Sequence, residues 1–221
     1  YDNTCEINVY SNIKDLWNEH SNSSLILIDI PIGLRDDDKD RVCDFEARKL
    51  LNGARKSSVF PSPTRSATYA NSYNEANNIN KRIKGKGLSK QSWSMAIKIK
   101  EVDEFLENNP IGFNKFKESH PEVCFYGLCG KSMNYNKKTQ EGFDERIKVL
   151  NSYFENSEGI INESLKTYTR KEIKRDDIVD ALCLAITGRE GLKNGFLTIP
   201  NIAEKDNQGL LMQMLYFSKS L

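Results

Sequence analysis

Apolar and polar positions fall into short blocks along the chain, and the blocks differ in period. "CEINVY" (5–10) alternates, which predicts a strand with one face covered. In residues 11–20, Ile13, Leu16 and Trp17 recur at helical spacing behind a serine, which predicts a helix. "SLILIDIPIGL" (24–34) is almost continuously apolar and closes on Pro and Gly, as a central strand buried on both faces does. Residues 40–51 predict a helix capped by Asp40, whereas Pro61 and Pro63 exclude one from 55–65. From Arg65 to Phe105 the pattern is helical but poor in apolar residues. "VCFYGL" (123–128) predicts the next strand. Helices are predicted at 139–153 and 176–188, while 160–165 fits either state. "GFLTIP" (195–200) and "LLMQMLYF" (210–217) predict two strands around a turn at 207–209.

Two predicted core strands thus stand roughly 90 residues apart, far more than one crossover helix needs. A mostly helical insertion at about 64–119 fills the gap. The order strand, helix, strand, insertion, strand, helices predicts one α/β domain over 1–221, with a mixed sheet flanked by helices.

Composition narrows the function classes. The 32 Lys and Arg nearly cancel the 31 Asp and Glu, so bulk charge points to no partner. No apolar run reaches the roughly 18 residues of a membrane span, so no membrane is expected, and neither is a secretory leader. The five cysteines are odd in number and scattered, and neither they nor His20 and His120 show zinc spacing. A reducing cytoplasm is the expected compartment.

The candidate chemistry lies in carboxylates at element ends. Asp29 follows "LILI"; a carboxylate inside an apolar strand is costly to ionise, but at the strand's carboxyl end it can face a crevice. The plainer alternative is a turn residue before Pro31. In "DDIVDALCLAIT" (176–187), Asp177 and Asp180 are three apart and share a helix face among apolar neighbours. Two carboxylates so placed repel unless a cation or proton lies between them. A cap at Asp176 or Asp177 explains the first acids but explains Asp180 poorly. Glu122, at the start of the next predicted strand, could complete the set or be a solvated strand end. Carboxylates without His or Cys select Mg²⁺ or Mn²⁺, the ions of phosphoryl-transfer sites.

These stretches carry a resemblance. "DIVDALCLAIT" resembles the last helix of RuvC-type Holliday junction resolvases, and "LILIDIPIGL" resembles their fourth strand, which ends in an acid. Almost the whole chain resembles a family of uncharacterised proteins predicted to be ribonuclease H-like nucleases. The matching stretches include "IDIPIGL" (28–34), "CDFEARKLL" (43–51), "SSVFPSP" (57–63), "HPEVCF" (120–125) and "DDIVDAL" (176–182). The resemblance implies a ribonuclease H-like sheet and metal-dependent nuclease chemistry, with Asp29, Asp177 and Asp180 as metal ligands and catalytic acids. Glu122 matches a recurrent family residue. The family's first strand, with its central Asp, has no counterpart before Asp29, so the first strands are expected to be missing upstream of Tyr1.

Between Ala76 and Lys100 the chain carries seven basic residues and no acid. Lys84, Lys86, Lys90 and Trp93 in this stripe, with Arg55 and Lys56 ahead of it, are the candidate nucleic-acid contacts. The plainer alternative is a solvated helix face with a buried Trp. Tyr135, Lys137 and Lys138 could add a rim contact. Two readings remain: a divalent-metal nuclease acting on DNA or RNA, or a binding module that keeps the fold without the chemistry.

Overall fold

The computed structural model describes residues 4–219, and Tyr1 and Asp2 lie outside the described residues. Two small sheets are set among ten helices in the described residues, so the chain is mixed α/β. Strand β1 (Ile26–Ile28) pairs in parallel with β2 (Phe116–Glu118), with Ile26 opposite Phe116 and Ile28 opposite Glu118. Ser119 N donates to Ile28 O at 2.9 Å and extends the ladder by one bond. Strand β3 (Leu197–Lys205) pairs antiparallel with β4 (Leu211–Tyr216) around Gly209, with an irregularity between Ile199 and Glu204. Ser119 Oγ donates to Leu215 O at 2.7 Å, which ties the end of β2 to β4.

The excursion between β1 and β2 is helical, as its pattern predicts. It contains α2 (Val42–Leu50), a 3₁₀ turn (Gly53–Ser58), α3 (Arg65–Thr68), α4 (Tyr73–Lys84), α5 (Lys90–Glu107) and α6 (Pro110–Lys115). Before β1 lies α1 (Ile13–His20), capped by Asn12, whose side chain accepts from Asp15 N. After β2 come α7 (Pro121–Cys129), α8 (Gln140–Asn151), α9 (Ser157–Thr167) and α10 (Arg175–Asn194). Ile178, Leu182, Cys183 and Ile186 of α10 form the largest core with Phe125, Ile147 and Ile161.

Four expectations fail for identifiable reasons. The predicted strand 123–128 is the helix α7. Pro121 occupies its first turn, His120 Nδ1 accepts from Glu122 N, and Gly130 closes it at φ 76°. Val123, Cys124, Phe125 and Leu128 are all buried, so every face is apolar and the helical period vanishes into a continuous run. The alternation at 5–10 is real burial without a ladder: Cys5 and Ile7 pack on the core, but the segment pairs with no strand. Asp40 does not cap α2; it binds Lys84 Nζ at 2.8 Å and Lys86 Nζ at 2.7 Å. The mixed sheet expected from the sequence is two separate two-stranded sheets.

Helix α7 lies hard against the chain end that follows β4. A Cβ on Gly127 would meet Phe217 O at 1.9 Å and Tyr216 Cδ2 at 2.9 Å. The carbonyl belongs to backbone that also receives support from this turn, since Lys219 N donates to Gly127 O at 3.1 Å. Gly127→Ala is therefore expected to lower stability by at least about 1–3 kcal/mol, the usual cost of overpacking. A denaturant midpoint unchanged from wild type would contradict this close approach.

Candidate active site

Parallel pairing points the carboxyl ends of β1 and β2 the same way, and chemistry-bearing residues follow both strands at once. Asp29 follows β1; Glu118, Ser119 and His120 end β2 and lead into α7, with Glu122 in its first turn. These residues open onto one cavity of ≈ 630 Å³. Helix α10 contributes Asp176 and Asp180 to the same cavity, the loop before α8 contributes Asn136, Lys137 and Lys138, and the 3₁₀ turn contributes Arg55. Crevices at the carboxyl ends of parallel strands are where ligands of α/β sheets bind.

Asp29 is exposed where it lines the cavity, with protein packed closely around it. Loss of bulk solvation, followed by the charge of Asp180, pushes its carboxyl well above the usual range, while Lys137 pulls it back. Burial likewise raises Asp180, against the pull of Lys137, whose Nζ lies 2.6 Å from Asp180 Oδ2 and 3.9 Å from Asp176 Oδ2. Burial disfavours the Lys137 ammonium, but Asp180, Asp176 and Asp29 outweigh it and raise its pKa. Lys137 reaches this position because its loop presses on α8 at Gly142, where a Cβ would stand 1.8 Å from Asn136 O.

Glu122 is only 5 % exposed. Its Oε1 accepts from Arg146 Nη2 at 2.5 Å and faces Arg55 Nη1 at 3.8 Å. Its Oε2 is buried and takes no hydrogen bond among the described residues. Such an orphan acceptor costs about 1–3 kcal/mol and calls for an explanation. His120 is held neutral: burial lowers its pKa, Nδ1 accepts from Glu122 N, and Nε2–H donates to Ser58 O at 3.3 Å. With Arg48 Nε donating to Val59 O at 2.7 Å, it pins the 57–63 loop over the cavity.

A second acidic group lies in the wall of the same cavity. Asp44 and Glu118 are buried around Arg41, which bonds Glu118 and stands 3.7 Å from Asp44 Oδ1. Ligand atoms of Cys43, Asp44 and Glu118 lie within 4.8 Å of one another, close enough to share an ion. The Arg41 guanidinium already supplies positive charge there.

The sequence-predicted residues are thus divided. Asp29, Asp180, Glu122 and Arg55 share the cavity. Asp177 does not line it and is a correction: it is exposed, and its Oδ2 accepts from Lys174 N at 3.1 Å as the third residue of α10. Asp176, four residues before Asp180 and one turn away, takes the place expected for Asp177. Lys56 and Lys90 are exposed outside the cavity lining. Lys84 and Lys86 are consumed by Asp40, and Trp93 is half-buried against Ala67, Ala76 and Leu88, so this part of the basic stripe is structural. Lys137 was legible only as a rim residue. Its partners Asp176 and Asp180 lie about 40 positions along the chain, so no local pattern signals the pairing.

No curated protein and no solved structure matches this chain. The stretches that carry the cavity, "IDIPIGL", "CDFEARKLL", "HPEVCF" and "DDIVDAL", all lie within residues 1–205, the span matched by one family model. By that match the chain belongs to the family described as protein of unknown function (DUF429).

Proposed function

We propose that the protein is a divalent-metal-dependent phosphodiester hydrolase acting on nucleic acid, with a ribonuclease H-like arrangement of its acids. The observation that carries the reading is the convergence of Asp29, Asp176 and Asp180 from two distant elements on one cavity, beside the unpartnered Oε2 of Glu122. All are oxygen donors, a set that fits Mg²⁺ or Mn²⁺ better than softer ions. Asp29, Asp176 and Asp180 would hold the ion. Bound there, it would activate a water and neutralise charge on the leaving oxygen. Lys137 holds the place of positive charge between the two helix acids, and its flexible four-carbon stem lets the ammonium turn to a phosphate oxygen. Arg55, near Glu122 at the cavity wall, offers a planar donor fork to the same phosphate. His120, neutral and doubly bonded, positions the loop rather than moving protons.

One observation favours the binding-module reading: Lys137 already satisfies Asp180, as a site without chemistry would. Comparing Asp180→Asn with Asp177→Asn separates the two. Cleavage of DNA and RNA oligonucleotides with Mn²⁺ is expected to fall more than about 100-fold in Asp180→Asn, beyond the usual cost of second-shell changes. Asp177→Asn is expected to keep wild-type rates, because its side chain only caps the helix. Cleavage absent from the wild type, or lost equally in both variants, would reject the assignment.

A further inference from the structure

The acidic floor of the cavity faces a wall of different chemistry. Val59, Pro61 and Pro63 line it from the loop after the 3₁₀ turn, and Met95 and Ile99 line it from α5. Helix α5 belongs to the long excursion between β1 and β2, so the excursion closes one side of the site rather than standing away as an arm. Four of its lysines are engaged by acids: Lys84 and Lys86 hold Asp40, Lys98 pairs with Glu101, and Lys100 lies 3.8 Å from Glu104.

The chamber of ≈ 630 Å³ lies inside the range of about 300–1,000 Å³ typical of sites that engulf a small ligand. A cube of that volume has an edge of about 8.6 Å, a little over two base-stacking steps of about 3.4 Å along a strand, so about two stacked nucleotides fit. A duplex, whose major groove alone is about 12 Å wide, does not.

We infer that the site takes a dinucleotide-sized phosphodiester, either free or as the last linkage of a strand, and not the interior of a long strand or duplex. This rests on the hydrolase reading above. A base lies against Met95 and Pro61, backed by the buried Ile99 and Pro63, and the exposed Gln91 amide at the same wall is placed to hydrogen-bond its edge. The linkage faces Asp29, Asp176 and Asp180, with Arg55 and Lys137 to its oxygens. One water adds its oxygen to phosphorus, the bond from phosphorus to one ester oxygen breaks, and that oxygen takes up a proton. A phosphate monoester and an alcohol leave, with no change of oxidation state.

The test uses the full chain with Mn²⁺ and three substrates of one base composition, in deoxy and ribo series: a dinucleoside monophosphate, a linear oligonucleotide, and the same oligonucleotide covalently circularised. The dinucleotide and the linear ends are expected to be cut, and the circle at least about 100-fold more slowly. Opening of the circle within about tenfold of the linear rate would leave the hydrolase reading intact and overturn the size limit. No cleavage of any substrate removes both. A readout independent of activity is calorimetric binding of dithymidine methylphosphonate, which is neutral and resists cleavage. Met95→Trp is expected to weaken it at least about tenfold, and Gln91→Trp, at an exposed position of the same wall, serves if the first variant does not fold. Equal binding by wild type and a folded variant overturns the inference.

Discussion

Arg41→Met is expected to remove about 3–5 kcal/mol of folding stability, the cost of leaving part of a buried ion cluster without its partner. Arg41 is 1 % exposed. Its guanidinium bonds Glu118, donates to Ser62 Oγ at 3.1 Å and stands 3.7 Å from Asp44. Methionine fills much of the volume but leaves two buried carboxylates facing each other. Burial already lifts Glu118 from its ordinary 4.5 to about 7, with Arg41 opposing it. Without Arg41 the carboxyl rises further. A folded carboxyl that holds its proton more tightly than the unfolded one contributes stability fully present below about pH 4.5 and lost as pH rises through its folded pKa. The deficit of Arg41→Met is therefore expected to be smaller near pH 4 than near pH 8 in urea unfolding. A deficit independent of pH would mean that lost packing, not stranded charge, explains it. Adding Asp44→Asn and Glu118→Gln to the variant is expected to recover part of the loss, because no buried charge then remains unpaired.

That cluster also shows what a sequence displays and what it hides. Periodicity found α1, α2, α8, α10 and the β3–β4 pair because each buries one stripe and ends on a recognisable breaker. The apolar run 24–34, expected as a central strand buried on both faces, is strand only at Ile26–Ile28, three half-buried residues of a two-stranded sheet. It failed on α7, where burial on all sides erases the stripe, although Pro121 and Gly130 frame a helix. It missed β2 because three residues are too few to show a period, and Glu118 at its end looks like surface charge until Arg41 is seen beside it. The site divides along the same line. Asp29 was legible because an acid is conspicuous at the end of an apolar strand. Asp180 was legible because an acid inside a core helix needs a reason. The choice of Asp177 over Asp176 went wrong because both spacings, three and four, bring helix residues together; the backbone N–H of Lys174 decided between them by recruiting Asp177. Lys137 and Arg55 enter through loops, whose destinations no local pattern encodes.

On the proposed hydrolase function, Asp29→Asn is expected to abolish metal-dependent cleavage while leaving the fold as stable as wild type or more so. The Asp29 carboxylate is held against loss of solvation and the charge of Asp180. An amide of the same shape relieves that repulsion without opening a cavity, so the melting temperature at neutral pH is expected to stay level or rise. Activity is expected to fall more than about 100-fold, since a direct ligand should matter more than the outer contacts that tune one. The two effects in opposite directions are the mark of a residue kept for chemistry at a cost in stability. Binding offers a third readout. A ligand at about 100 times its Kd stabilises a folded protein by about 2.7 kcal/mol, so saturating Mn²⁺ is expected to raise the melting temperature of wild type and much less that of Asp29→Asn. Should Asp29→Asn instead melt lower and still respond fully to Mn²⁺, Asp29 would be a structural turn residue before Pro31, and the acids of α10 would be paired with Lys137 for folding alone.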